Sequence, residues 1–427
     1  MTERWERSVP VYHVPVVTKA YIGLLVLAGV AVGLTTYREL AGLGPATGLN
    51  DAYAWGIWKT VNVMVLTGLG SGGFAVGIAA WLFNRHRLHT VMRTALLTSF
   101  LAYLSGLFLL GIDVGRPWNM FWLLMPWKWN SHSPLLEVAF CMPVYAMIPL
   151  ALENVPPVLE WVHAQRPDLR ALVERATAVM TRFYPYVVAL AYVLPAMHQS
   201  SLGSLMLLAG EKVHPLWQTP WLPFLYVWAA SFMGFACVSG TILFCSLVWE
   251  RRIDVGVLDD MTMITGRLIA GFMIFRLLDL AVRGKLGIAF TANRFAGLFW
   301  FETMVLIAGG IVLYIAAKRR DAKLMFIGHL IAAIGGALYR FNPTTLAFQP
   351  RPGAFYFPSA IEILISAGFV ALVIAIFTMA VKLLAILPGS LQTWYAMEAA
   401  STHGACRIHA GNASPELAPA TQLVPHQ

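Results

Sequence analysis

Three polar clusters, each next to a long apolar segment, carry the side chains best suited to chemistry in this sequence. They read Gly-Ile-Asp-Val-Gly-Arg-Pro-Trp-Asn over 111–119, Ser-Pro-Leu-Leu-Glu over 133–137 and His-Gln-Ser-Ser-Leu-Gly over 198–203. A carboxylate, a histidine and hydroxyl groups beside apolar walls can hydrogen-bond two carbonyl oxygens and move a proton with each electron. Quinone chemistry requires those groups, and we expect the three clusters to line one pocket.

The members of these clusters have different expected roles. We expect Glu137 to exchange protons with the quinone, and His198 and Asp113 to position it. The residues expected to bind the quinone are Arg116, Trp118, Asn119, Ser200 and Ser201. A lone His198 would more often be a satisfied core histidine. Charged residues of the C-terminal half are more often anchors or structural ion pairs, such as Arg276 with Asp279 at helical spacing.

The elements that hold these clusters are predicted to span a membrane. Apolar residues make up 58% of the 427-residue chain and charged residues 12%, with a mean hydropathy of +0.67, far from the averages of soluble domains. Windows without charge cover residues 60–84, 183–210 and 213–249, each long enough to cross ~30 Å of hydrocarbon. No alternating ten-residue pattern of a barrel occurs, so the sequence predicts an all-α integral membrane protein.

Apolar windows bounded by charge, proline and glycine predict about ten transmembrane helices. They lie near residues 19–37, 57–83, 92–114, 134–153, 183–208, 221–249, 263–282, 295–317, 324–341 and 359–387. Both termini then share one side, which holds nineteen of the thirty Lys and Arg residues against ten on the other side. This bias predicts cytoplasmic termini, and it explains the basic excess without a nucleic-acid partner.

The chain is therefore expected to have three parts. They are a cytoplasmic N-terminus over 1–18, a ten-helix membrane domain over 19–387 and a cytoplasmic, mostly disordered tail over 388–427. Within the membrane domain, Asp113 and Glu137 recur as Asp279 and Glu302 roughly 166 residues later, as in repeated units. A match of this size can also arise by chance. We expect two four-helix bundles, over about 57–208 and 221–341, flanked by the first and last helices.

Cysteine and histidine positions argue against a redox centre held by this chain. The four cysteines show no C-x-x-C spacing, so we expect no iron-sulfur cluster. Haem of the cytochrome b type needs facing pairs of histidines inside helices, and only His198 and His329 fall within predicted spans, near opposite faces. We expect no haem and no metal site, with ubiquinone or menaquinone as an exchangeable substrate.

The loops on the side of the three clusters are rich in aromatic residues. Some of these residues must form the ordinary interfacial belt of a membrane protein. Their number on one side nevertheless favours a docking surface for an extramembrane partner. We expect Trp122, Trp127, His214 and Trp217 to contact that partner.

Over residues 55–388 the sequence resembles the NrfD/PsrC-like family of quinone-interacting membrane subunits. Within that family it is most similar to the HybB-type branch, which serves periplasm-facing nickel-iron uptake hydrogenases. The motifs that carry the resemblance are Asp-Val-Gly-Arg over 113–116, Leu-Glu over 136–137, Met-His-Gln-Ser-Ser-Leu-Gly-Ser-Leu over 197–205, Lys-Val-His-Pro-Leu-Trp-Gln over 212–218 and Tyr-Phe-Pro over 356–358.

The resemblance implies a haem-free subunit in the bacterial inner membrane. Such a subunit exchanges electrons between a periplasmic ferredoxin-like iron-sulfur subunit and the quinone pool, and hydrogenase small and large subunits reduce the iron-sulfur subunit. Other members serve complexes linked to polysulfide, nitrite or sulfite. HybB-type chains can carry a carboxylate in the sixth span, where this sequence reads Gly-Phe-Ala-Cys-Val-Ser-Gly-Thr over 234–241. This departure puts a second proton-handling site there in doubt.

Two other classes of membrane protein share part of the pattern. A secondary transporter would also have ten helices, a pseudo-repeat and intramembrane charge. Here, however, the charges crowd one face instead of the midplane, and no pair of broken helices marks a central site. A passive anchor within the lipid bilayer would leave Glu137 and His198 unexplained.

Overall fold

The computed structural model describes residues 17–388, apart from positions 54, 115, 131 and 250–254. Ten helices in this part of the chain are long and apolar enough to cross a membrane. In chain order they are α1 (Lys19–Ala41), α2 (Trp58–Leu82), α3 (His86–Asp113), α4 (Leu136–Gln165), α5 (Pro167–Leu208), α6 (Leu222–Val248), α7 (Gly256–Val282), α8 (Arg294–Arg319), α9 (Ala322–Leu346) and α10 (Ala360–Leu383). The prediction of an all-α membrane protein with ten spans is confirmed. The predicted terminal segments, 1–18 and 388–427, lie almost entirely outside the described residues.

The loops that follow α1, α5, α7 and α9 contact one another, and we call their side of the protein, which also holds the loop after α3, the outward side. The hydroxyl of Tyr53, after α1, donates to the carbonyl of Phe348, after α9, at 3.0 Å. Val213, after α5, forms a bridge with the same Phe348, and Arg283, after α7, donates to the carbonyl of Gln218 at 2.7 Å. The opposite side is called the inward side.

Helices α4 and α5 run well beyond the spans predicted at 134–153 and 183–208. α5 extends over 42 residues, or roughly 63 Å at 1.5 Å per residue, about twice the ~30 Å of hydrocarbon. The chain turns between them at Arg166, which pairs with Asp168 at 2.8 Å, and Pro167 opens the next helical turn, a position that suits proline. Charged residues mark the membrane boundary here, but they do not end a helix.

Contacts between helices form two closed sets. In the first set, α2 packs on α3, α3 on α4, α4 on α5 and α5 again on α2. In the second set, α6 packs on α7, α7 on α8, α8 on α9 and α9 again on α6. The two sets meet where α2 packs on α6 and α9. α1 pairs along its length with α10, beside α2 and α3. The predicted grouping into two flanked four-helix bundles remains a prediction, with which these neighbours agree. We refer to α2–α5 as the first bundle and α6–α9 as the second.

Glycines bring the backbones of α2 and α6 together midway across the membrane. α2 contains π-helical turns at both ends, Trp58–Val65 and Ile78–Leu82. Between them, Gly72 lies against Gly234 of α6, where an added Cβ would meet the Gly72 nitrogen at 2.7 Å. Small residues allow this kind of close approach between membrane helices. The two bundles are therefore in direct backbone contact.

Arg340 of α9 joins the same junction. It is fully buried, and its guanidinium donates to the carbonyls of Met64 in α2 at 3.0 Å and Tyr226 in α6 at 2.6 Å. Its carbon Cζ also lies 4.7 Å from the centre of the Tyr226 ring. Backbone carbonyls are common partners of an arginine inside a membrane. One side chain thus links three helices from both bundles.

Replacing Gly234 by Ala is expected to lower the melting temperature of the purified protein. The new Cβ would overlap with backbone atoms of α2, and overpacking of this kind typically costs about 1–3 kcal/mol. Gly297→Ala is the matched control, because Gly297 lies in α8 and an added Cβ there meets nothing within 4 Å. Thermal unfolding in detergent, followed by tryptophan fluorescence, measures the melting temperatures of both variants. Equal melting temperatures would contradict the backbone contact.

Candidate functional site

A cleft opens on the outward side between the start of α4 and the end of α5. Its volume is about 560 Å³, within the range of small-molecule sites. The lining residues are Trp129, His132, Ser133, Pro134, Leu136, Glu137, Phe140, Cys141, Met197, Ser204, Leu207 and Leu208. Most of the wall is apolar, and its polar groups come mainly from the first turn of α4 and the residues just before it.

Glu137 supplies the carboxylate of this cleft. It lies in the first turn of its helix, after Pro134, and is half-buried. Among the described residues, no ion pair involves Glu137. The carboxylate is therefore open to a molecule in the cleft, and its expected exchange of protons with a quinone stays a prediction.

His198 lies one layer behind the cleft wall. It follows Met197, which lines the cleft, and its own buried ring is 5.4 Å from the ring of Tyr103. The neighbouring Gln199 donates to the Tyr103 hydroxyl at 3.0 Å and to the Thr67 hydroxyl at 3.2 Å. Gln199, Tyr103 and Thr67 form a buried polar network that joins α2, α3 and α5. His198 adjoins this network only through its ring contact with Tyr103, and it does not line the cleft.

Ser200 and Ser201 do not line the cleft. Their hydroxyls donate to the carbonyl of Met197 at 2.9 and 2.8 Å, a bond within the helix that serine often makes. Ser204, one turn further along α5, does line the cleft. The polar motif thus lies on a helix that lines the cleft, but one turn away from the cleft itself, and binding of a quinone by Ser200 and Ser201 stays a prediction.

Asp113 belongs to a separate polar cluster. Its carboxylate lies 2.9 Å from the ammonium of Lys59, and it does not line the cleft. In the same region, the carboxylate of Glu362 accepts from the backbone nitrogen of Gly48 at 2.7 Å and from the hydroxyl of Tyr356 at 2.7 Å. Burial raises the pKa of Tyr356, so its hydroxyl stays a donor. This cluster joins α10 and the first outward loop to the first bundle.

Glu302, which the predicted repeat pairs with Glu137, is closed off inside the second bundle. Glu302 of α8 is fully buried and forms an ion pair with Arg276 of α7. It also accepts from the indole of Trp217 at 2.9 Å and from the side-chain amide of Asn342 at 2.5 Å. With donors on both oxygens, Glu302 is held in place as a structural partner of these three side chains.

The prediction that Arg276 forms an ion pair with Asp279 is wrong. Asp279 pairs with Arg283, one turn further along α7, at 2.6 Å, while Arg276 turns into the bundle toward Glu302. Spacing along a helix shows which pairs can meet. It does not show which of them face a partner on another helix.

The outward loop after α3 is largely exposed. Arg116, Trp118 and Asn119 are exposed and do not line the cleft, so they are not placed to bind a quinone there. Trp129, at the end of this loop, does line it, and its ring lies 5.3 Å from that of Phe140. The sequence analysis did not identify Trp129 or Phe140 as residues of this cleft. The tryptophan-rich loop before α4 was the signal that could have indicated Trp129.

Two of the four residues expected to dock a partner are exposed and two are not. Trp122 and Trp127 are 41% and 76% exposed. Trp217 is buried against the carboxylate of Glu302. His214 stacks on Phe295 with ring centres 4.4 Å apart. Burial lowers the pKa of His214, which keeps it neutral. His214 and Trp217 fill the interior of their loop, so the docking prediction retains only Trp122 and Trp127.

Comparison with known proteins shows the family of this chain. The pattern of the family described as "Polysulphide reductase, NrfD" matches residues 46–342. The chain belongs to the NrfD family. The resemblance inferred from its motifs is confirmed.

Relatives of this NrfD chain are membrane subunits of oxidoreductase complexes. It is 36% identical over 358 residues to the "Probable Ni/Fe-hydrogenase 2 b-type cytochrome subunit" of Escherichia coli (strain K12), covering 83% of the chain and 89% of the relative. It is 28% identical over 334 residues to the "Menaquinone reductase, integral membrane subunit" of Nitratidesulfovibrio vulgaris (strain Hildenborough), covering 73% and 77%. A shorter match, 22% identical over 181 residues, covers 42% of the chain and 40% of a selenate reductase subunit of Mesobacillus selenatarsenatis.

The Escherichia coli relative is named a b-type cytochrome subunit, which raises the question whether this NrfD chain could hold haem. Haem between two histidines requires a facing pair. His198 adjoins Tyr103 in the first bundle, whereas His329 of α9 lies beside Gly240 of α6 in the second, with its Nδ1 2.8 Å from the carbonyl of Met325. The part of the chain that the structure describes also contains no group of three or more metal-ligating side chains. The residues present do not fit such a haem.

Replacing Glu302 by Gln is expected to destabilise this NrfD chain strongly. Arg276 would stay buried without its counter-charge, and breaking one partner of a buried pair costs about 3–5 kcal/mol. Glu137→Gln is the control, because that carboxylate forms no ion pair with the described residues. Thermal unfolding in detergent compares the two variants. A melting temperature for Glu302→Gln equal to that of Glu137→Gln would show that the pair does not hold the second bundle together.

Proposed function

We propose that this chain is the quinone-reactive membrane subunit of a multi-subunit oxidoreductase. In the specific form of the proposal, a nickel-iron hydrogenase oxidises H2, a periplasmic iron-sulfur subunit takes the electrons, and this chain delivers them to the quinone pool. The observation that carries the proposal is the outward cleft with Glu137 in its wall. Relatives named as hydrogenase and menaquinone reductase subunits support the same role.

The cleft suits a molecule that arrives from the bilayer. Phe140, Met197 and Leu208 line it and are 39%, 39% and 69% exposed at the surface of the helices, where lipid surrounds the protein. A quinone has a flat polar head on a long apolar tail. Its head would reach Glu137 with the ring against Trp129 and Phe140, and its tail would remain among the apolar side chains.

Reduction of one quinone consumes two electrons and two protons and releases one quinol. The partner's iron-sulfur centre supplies the electrons one at a time. Glu137 gives the first proton to the nearer carbonyl oxygen and regains one from water on the outward side. Ser204 or His132, on the opposite helix end and the adjoining loop, hydrogen-bonds the other oxygen, which takes the second proton from outward water. His198 acts through Met197 and the buried network, which shape the wall of the cleft.

The partner docks, in this proposal, on the loop that leads into the cleft. Trp122 and Trp127 are exposed on that loop, and Trp129 at its end lines the quinone site. The iron-sulfur subunit would therefore sit beside the electron acceptor, with the hydrogenase small and large subunits beyond it. The excess of Lys and Arg on the inward side supports cytoplasmic termini and a periplasmic outward side in a bacterial inner membrane.

A subunit of a different respiratory complex is the second candidate. It is favoured by the relatives named as subunits of menaquinone reductase and selenate reductase. The quinone site would be the same and the electron donor different. Purification from the native membrane distinguishes the two candidates: a copurifying hydrogenase large subunit supports the first, and another catalytic subunit supports the second.

Glu137→Gln is expected to slow quinone reduction by about 10²- to 10⁴-fold, the loss typical of removing a general acid or base. Glutamine keeps the size and hydrogen bonding of the side chain but carries no exchangeable carboxyl proton. The measurement is hydrogen-dependent reduction of a quinone analogue by the purified complex. Reduction of a water-soluble acceptor that takes electrons directly from the iron-sulfur centres should remain at the wild-type rate.

Glu160→Gln is the matched control for that variant. Glu160 lies at the inward end of the same helix, in an exposed pair with Arg93 at 2.6 Å, and such pairs contribute little to stability. This control should reduce quinone at the wild-type rate. If Glu137→Gln does so as well across pH, Glu137 is not the proton donor.

The absence of haem is also part of the proposal. The purified chain should show no Soret band and no split α peaks on reduction, because its buried histidines do not form a facing pair. Absorption spectra of the oxidised and reduced chain, alone in detergent, make the measurement. A Soret band stoichiometric with the protein would refute this expectation and would give the chain a redox centre of its own.

A further inference from the structure

Helix α4 carries three carboxyl groups at different depths. Glu137 lines the outward cleft, and Glu160 forms the exposed inward pair with Arg93 at 2.6 Å. Glu153 lies between them. At 1.5 Å per residue, it is roughly 24 Å from Glu137 and roughly 10 Å from Glu160 along the helix. Glu153 therefore lies within the membrane, nearer to its inward side.

Glu153 is buried without a charged partner in the described part of the chain. The residue is 9% exposed, its Oε2 has no hydrogen-bond partner there, and none of the ion pairs involves it. Both terminal nitrogens of Arg93 are taken up by Glu160, at 2.8 and 2.6 Å. A buried carboxylate without a counter-charge is so costly that such a group takes up a proton instead.

The titratable side chains that face Glu153 are tyrosines. Tyr184 and Tyr192 of α5 and Tyr145 of α4 interact with it electrostatically. The hydroxyl of Tyr192 donates to the carbonyl of Gly77 in α2 at 3.3 Å. A tyrosine carries no charge until strongly alkaline pH, so these three side chains do not neutralise an ionised carboxylate.

The backbone of α4 is irregular on both sides of Glu153. A π-helical turn ends at Leu150, and the chain makes a turn at Asn154 before the helix resumes. Pro157 has no N–H, so it cannot donate to the carbonyl of Glu153 itself, four residues earlier. Irregular backbone at membrane depth occurs where protein buries it or where it lines a water-filled cavity, and broken helices form ion sites in membrane proteins.

We propose that Glu153 is a proton-binding site in the inward half of the first bundle. Its carboxyl group is protonated at neutral pH, and the bound proton exchanges with the inward aqueous phase, the nearer of the two. The irregular turn provides backbone carbonyls that can accept a hydrogen bond from the carboxyl hydroxyl, directly or through water. The site does not depend on the proposed quinone chemistry, for which outward water supplies the protons.

Infrared spectroscopy of the full chain in detergent tests the protonation directly. The C=O stretch of a protonated carboxyl group is separate from the two bands of a carboxylate. The spectrum of the wild type minus that of Glu153→Gln at neutral pH is expected to show loss of one protonated band. Transfer to D2O should shift this band to lower frequency. Loss of carboxylate bands instead would overturn the site, and a band that does not shift in D2O would overturn the proton exchange.

Glu160→Gln is the matched control on the same helix. Its carboxylate is exposed and paired with Arg93, so this variant should lose carboxylate bands and keep every protonated band of the wild type. The comparison separates the state of a buried carboxyl group from the general effect of a glutamate-to-glutamine change. Loss of the same protonated band in Glu160→Gln would assign that band to the wrong residue and overturn the site.

Thermal unfolding gives a second, independent test. Glutamine has the shape of a neutral glutamic acid, so Glu153→Gln is expected to melt within a few degrees of the wild type. Glu302→Gln, which removes the counter-charge of Arg276, provides the contrast and should melt far lower. A decrease for Glu153→Gln as large as that for Glu302→Gln, or failure of Glu153→Gln to fold, would show that a charged carboxylate is needed at this position and would overturn the site.

Discussion

Charge inside hydrocarbon must be bonded or neutralised by the protein itself, since neither water nor lipid tails can do so. The buried basic side chains of this chain satisfy that constraint by joining helices. Arg340 binds backbone carbonyls of α2 and α6, Arg276 pairs with Glu302 across the second bundle, and Lys59 pairs with Asp113 across the first. Removing one member of a buried pair leaves an uncompensated charge, which is why such contacts restrict the packing of whole helices.

The same constraint distinguishes a carboxylate that stabilises helix packing, Glu302, from one that is open to a bound molecule, Glu137. Glu302 receives hydrogen bonds from Arg276, Trp217 and Asn342, so protonating it would disrupt contacts to three parts of the second bundle. Glu137 of the first bundle lines an open cleft and has no ion pair among the described residues. A change in its charge would therefore break no ion pair within that part of the chain. The same residue type serves packing in the second bundle and, in the proposed function, proton transfer in the first.

The ten spans were predictable because the thickness of hydrocarbon fixes the length of each apolar window. The inward ends of α4 and α5 could not be predicted in this way, because a helix continues into water wherever its sequence allows. Charged residues mark only the membrane boundary. Glu137 could be identified from its polar motif beside an apolar span. Arg276 and Trp217 make other contacts than those predicted, and Ser200 and Ser201 bond within their own helix. The direction of a side chain around its helix depends on neighbours that sequence spacing does not reveal. Trp129 and Phe140 come together only through the fold of the outward loop.

The positions of the polar regions bear on how charge would cross this membrane. If outward water supplies the protons for quinone reduction, and H2 oxidation releases protons on that side too, no net charge crosses the bilayer. Moving charge would require a path from the inward side to the outward cleft. On α9, one turn toward the inward side from Arg340, Gly336 lies directly against Met233 of α6, whose Cγ is 2.4 Å from the Gly336 Cβ position, and Met233 is fully buried. Apolar packing fills the junction between α6 and α9 at this point, so a proton path through the junction would require Met233 to move aside.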